Sequence, residues 1–151
     1  MKKIVINATH GGFGLTPKAI YMYADLACIN VYPYVEKRDL ENNWKDSKED
    51  KYVRVEREEA IVQTDSFLYH WLREDLGLEI DGTVINKGNW FWADGIERDD
   101  ANLVRVVEAL GEEADGRCAK LKIVEIPDNV EWVIDEYDGF ESVEESHRSW
   151  S

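Results

Sequence analysis

Asp99-Asp-Ala-Asn-Leu-Val-Arg-Val-Val-Glu-Ala-Leu-Gly111, then Lys120-Leu-Lys-Ile-Val-Glu-Ile126 and Val130-Glu-Trp-Val-Ile-Asp-Glu-Tyr-Asp-Gly-Phe140, is the stretch that decides the fold. Leu103, Val106, Val107 and Leu110 recur at helical spacing on one face, Asp99 or Asp100 stands where a cap is needed, and Gly111 stops the helix. The two segments that follow are strand-like, separated by Pro127-Asp128-Asn129. Asp138-Gly139 between Tyr137 and Phe140 is the two-residue type I′ hairpin signal. A helix followed by a strand and then a hairpin breaks any βαβ alternation and predicts an α+β domain.

Working outward, Lys3 to Asn7 reads as a buried strand leading into the loop His10-Gly11-Gly12-Phe13-Gly14. Thr16 is an N-cap residue with Pro17 at the first helical position, Leu15 and Ile20 have staple spacing, and Ile20, Tyr23, Ala24 and Ala27 form an apolar stripe. Glu36 to Lys51 is mixed charge without an apolar face and reads as a solvated loop. Tyr52 to Arg57 reads as a strand. A second helix is predicted from about Asp65, with Leu68, Trp71, Leu72 and Leu76 inward and Gly77 at its end. Ile80 to Trp92 reads as strand, turn and strand, with Asn86-Lys87-Gly88-Asn89 as the turn. The sum is one domain over residues 1–151, with about three helices and a mixed or antiparallel sheet of about six short strands.

Bulk properties narrow the function classes. The 151 residues include 44% hydrophobic side chains and six tryptophans, enough for a core. A formal charge of -14, from 32 acidic against 18 basic residues, repels phosphate backbones and argues against nucleic acid as a partner. Cys28 and Cys118 have neither CxxC spacing nor a histidine pair nearby, and both read as buried thiols. Only Ile4, Val5 and Ile6 follow the opening lysines, too short a run for a signal peptide, and no apolar stretch approaches the roughly 20 residues that cross a bilayer. The expectation is a cytoplasmic protein without a membrane partner.

Several segments together carry a resemblance. They are Lys3-Ile-Val-Ile-Asn7 with Gly11-Gly-Phe-Gly-Leu15, then Arg98-Asp-Asp100 and Val106-Val107-Glu108, then Ala119 to Asp128, Glu136-Tyr-Asp-Gly139, and His147-Arg148 with Trp150. The chain resembles a widespread family of small, uncharacterised phage and prophage proteins, well at both ends and poorly from Tyr32 to Ile96. That resemblance implies a phage origin and the host-cell cytoplasm, and names no reaction. By analogy with other small phage proteins, it suggests a role against host immunity, either by sequestering a nucleotide second messenger or by blocking a host enzyme.

The candidate ligand-binding residues are His10, Gly11, Gly12, Phe13, Gly14, Asn89, Trp90, Trp92, Arg117, His147 and Arg148. The first five join a strand to a helix N-terminus, where backbone N–H groups attract phosphate, although their spacing matches neither a P-loop nor a dinucleotide fingerprint. Trp90 and Trp92 share one face of a predicted strand and could hold a base between them or against one plane, with Asn86, Lys87 and Asn89 as polar contacts. Against this stands the ordinary core role of strand aromatics. Arg117, His147 and Arg148 are cations suited to phosphate, unless surface carboxylates take them.

From Glu125 to Glu145 there are nine acidic and no basic residues, which on β-alternation read as a solvated sheet face; no metal site and no cofactor is expected. His10, His70 and His147 belong to no hydrolase or deaminase signature; the balance is against catalysis without closing it, with a pairing of Cys28 or Cys118 with a distant histidine still open and His10 beside the glycine loop as the candidate general acid or base. The leading expectation is a phage-encoded protein that binds and sequesters a nucleotide-like small molecule. The alternative is an acidic interaction inhibitor or nucleic-acid mimic docking on a basic host protein, and homo-oligomerisation is left open.

Overall fold

A computed structural model of the chain describes residues 1–36, 51–66, 69–81, 85 and 88–145. Among them, eight strands form three antiparallel sheets with three α-helices, an α+β fold with more strands than the six or so expected. The first sheet pairs β1 (Lys2–Asn7) with β6 (Leu121–Ile126), Lys2 opposite Ile126 and Asn7 opposite Leu121. The second has the order β4 (His70–Leu72), β2 (Tyr32–Glu36), β3 (Lys51–Arg54), β5 (Glu79–Asp81). The third is the hairpin of β7 (Trp132–Tyr137) and β8 (Phe140–Glu145). Asp138 and Gly139 turn that hairpin with φ of 51° and 86°, the two positive values that a type I′ turn requires.

Helix α1 (Pro17–Ala27) begins where Thr16 accepts a hydrogen bond from the Ala19 amide. Helix α2 (Arg57–Ala60) is one turn, and helix α3 (Ala101–Leu110) packs on α1. Of the two aspartates able to cap α3, Asp100 does so: its carboxylate accepts from the Asn102 and Leu103 amides and also from the Tyr23 hydroxyl of α1. The main core lies between these helices and the sheets, around Val5, Leu15, Ile20, Trp71, Leu103 and Val106. A smaller cluster of Tyr34, Leu72 and Ile80 covers the other face of the four-stranded sheet.

Four expectations are corrected. The predicted helix from Asp65 is absent, because His70 to Leu72 form β4. Trp71 enters the main core and Leu72 the smaller cluster, and a strand buried on both faces has the same apolar run as a short helix. Strand β3 ends at Arg54, with Arg57 opening α2 instead of closing a strand. The second strand expected before Trp92 reduces to one antiparallel bridge between Trp90 and Leu72. Finally, both cysteines are exposed: Cys28 caps α1 in the left-handed conformation at the surface, and Cys118 lies in the turn before β6. Of the expected charged loop, Glu36 closes β2 and Lys51 opens β3, and residues 37–50, like Leu68, Asn86, Lys87, His147, Arg148 and Trp150, lie outside the described residues.

Candidate functional site

The glycine loop is held by the protein itself. A Cβ on Gly11 would lie 1.9 Å from the Cys118 carbonyl oxygen, one on Gly116 2.7 Å from the Gly14 backbone, and one on Gly139 2.7 Å from the Gly12 nitrogen. These positions therefore need glycine for close backbone approach. The N-terminus of α1 is engaged in the same way. The Thr16 amide donates to the Ala114 carbonyl, the Thr16 hydroxyl donates to the Glu113 carbonyl, Pro17 has no N–H, and the Gly116 amide reaches the Gly14 carbonyl. Segment 113–116 thus lies against Gly14 and Thr16 at the start of α1 and takes up the Thr16 amide and hydroxyl. His10, exposed, packs against the rings of Tyr137 and Phe140 at the hairpin turn.

Phe13 and Gly14 nonetheless line a cavity of about 340 Å³ shared with Trp90 and Trp92. Its walls come from two aromatic triplets running antiparallel, Tyr69-His70-Trp71 and Trp90-Phe91-Trp92. The Phe91 amide donates to the Trp71 carbonyl and the Arg73 amide to the Asn89 carbonyl, which fixes their register. Alternation then sorts the rings: Phe91 is buried near Tyr23, and Trp90 and Trp92 emerge together on the other side. Leu15 and Ile20 of the main core close the floor, and Ser66 and Asp94 supply polar groups.

The two indoles stack on one another, centroids 4.9 Å apart and planes 16° from parallel. No base fits between rings already in contact, which corrects that half of the expectation. The edge of His70 meets Trp90 at 5.1 Å, and Tyr52 meets His70 at 4.9 Å, so Trp90 is braced from behind. Trp92 ends this row and remains 57% exposed, with one face on Trp90. Tyr69, with an edge-on contact to Trp71, has its hydroxyl pushed above the ordinary pKa by burial.

The other polar candidates, Arg117 and Asn89, and the nearby Arg98 are engaged with carboxylates. Arg117 pairs with Asp65, and Asn89 contacts Glu74, outside the cavity lining. The Arg98 guanidinium stacks on Phe13 at 3.7 Å, donates to both Glu141 carboxylate oxygens, and reaches the carbonyls of Asp94 and Ile96. Glu141, buried, also accepts from the Asn7 amide, and the Asn7 side chain binds Thr9, Gly139 and the Lys120 amide. This network, unread in the sequence, sews the β7–β8 hairpin to β1 and sets the position of Phe13. Tyr69, His70, Trp71, Ser66 and Asp94 were also unforeseen at the cavity. The signal for the first three was the bulky Tyr-His-Trp triplet, whose β-propensity was outweighed by an apparent helical spacing.

No protein-family model matches the chain, and neither a curated protein nor a solved structure matches it. Among the described residues no group of three or more His, Cys, Asp or Glu side chains could hold a metal ion, and no helix is long and apolar enough to cross a membrane.

Proposed function

We propose that this chain is a non-enzymatic binding protein whose aromatic cavity takes a planar, base-like ring against the exposed face of Trp92. The observation that carries this reading is a braced indole stack at the mouth of a cavity of about 340 Å³, within the roughly 300–1,000 Å³ of small-molecule sites. A rigid indole plane loses little entropy on binding a ring, and each stacked base contributes about 1–3 kcal/mol. With Ser66, His70 and Asp94 among its polar residues, the lining offers groups that can orient a bound ring. Sequestration of a nucleoside-like molecule in the host cell is the use that the likeness to phage proteins would add. No phosphate is assigned to the glycine loop in this reading, since Gly11 packs on Cys118 and Gly139 packs on the backbone of His10 and Gly12.

Calorimetric titration with guanosine and adenosine tests this reading. Binding is expected for the wild type, with Trp92→Ala weakening it by at least about tenfold, as the loss of one stacking plane implies. Trp132→Ala, in the distant hairpin strand, should leave it unchanged. Absence of heat with both nucleosides, or equal affinities for wild type and Trp92→Ala, would refute it.

A further inference from the structure

We infer that the cavity selects its ligand by charge, favouring a positively charged planar ring over a neutral one and rejecting phosphorylated forms; this rests on the binding reading above. Aromatic faces carry negative potential, and a cation over an indole is attracted more strongly the less water surrounds it. Here the rings of Trp92, Tyr69 and Phe13 border one cavity together with His70, Arg98 lies over one face of Phe13, and the exposed Asp94 is the carboxylate-bearing residue of the lining. Among the described residues that line the cavity there is no lysine or arginine.

The nearest guanidinium does not reverse this balance. Arg98 lies against Phe13, and its charge is matched by the buried carboxylate of Glu141 at 3.0 Å, with two backbone carbonyls accepting further hydrogen bonds from it. Arg117 is matched by Asp65, beside the lining residue Ser66. Over the whole chain the charge is -14, so an approaching phosphate meets repulsion and an approaching cation is drawn in. A nucleotide polyphosphate would have to place its charges in this field, whereas a ring-alkylated nucleoside, or an aromatic or quaternary ammonium ion, would gain from the aromatic rings and from Asp94.

The test is a charge series at constant ring shape: guanosine, its ring-nitrogen-methylated cation, GMP and GTP, titrated at low salt into the wild type and Asp94→Asn. The cation is expected to bind about tenfold more tightly than guanosine, and GMP and GTP about tenfold or more weakly, in keeping with cation–π and Coulomb strengths at a partly desolvated site. Asp94→Asn should shrink the ratio between cation and guanosine. GMP or GTP binding as tightly as guanosine, or a cation-to-guanosine ratio near one, would overturn the charge preference and leave the stacking site standing. Failure of all four ligands with a folded protein would remove the site itself, and the inference with it.

Discussion

Arg98 and Glu141 show how one residue pair can serve both fold and site. Their side chains are only 12% and 6% exposed, and the Glu141 carboxylate holds the Asn7 amide as well as the guanidinium. Removing one member of such a pair leaves a desolvated charge, which costs up to roughly 3–5 kcal/mol. Glu141→Ala is therefore expected to lower the urea midpoint sharply, while Glu108→Ala, which breaks the exposed pair with Lys3, should cost less than about 1 kcal/mol. Equal small losses for the two variants would show that the hairpin is held by other contacts. The same pair positions Phe13, so residue-level stability and the cavity wall are linked through one guanidinium.

At the scale of elements, α1 and α3 are joined by the Tyr23 hydroxyl donating to the Asp100 cap. Burial first, and then this bond to a carboxylate, push the Tyr23 pKa up to about 12; burial does the same for Tyr21 in the same helix. Both folded-state values lie above the ordinary value near 10, so the folded state keeps its protons longer than the unfolded state does. The corresponding stability is complete below about pH 10 and is lost as pH rises towards about 12. The difference in Tm between wild type and Tyr23→Phe should accordingly move against the wild type across that window, and a constant difference would contradict the assignment.

These elements also show what was legible beforehand. Helices α1 and α3, strands β1 and β6 and the β7–β8 turn declared themselves because each had a local cap, stop or turn residue: Thr16, Asp100, Gly111, Asp138-Gly139. Strand β4 has none, and its pairing with β2 and with Trp90 spans distant sequence. Of the candidate site, Phe13, Gly14, Trp90 and Trp92 do share a cavity. Gly11 and Gly12 read as phosphate ligands because a glycine required by a neighbouring backbone, as Gly11 is by Cys118, or by a positive φ, as Gly12 is at 88°, looks the same in sequence as one required by a ligand.

For the molecule as a whole, the backbone of residues 89–91 meets the sheet edge at β4, and the two aromatic triplets brought together there line a cavity. The strong negative charge can be read as a docking face for a basic protein, but charge alone points to no occupant, whereas the cavity has shape, a stacking plane and a sign. Ligand binding at that place is the claim on which the rest depends. Indole N–H resonances of the six tryptophans, assigned by NMR and followed during titration with guanosine, test it most directly. Shifts are expected at Trp90, Trp92 and Trp71 with Trp132 unmoved; shifts confined to Trp132, or none at any indole, would contradict binding at this cavity.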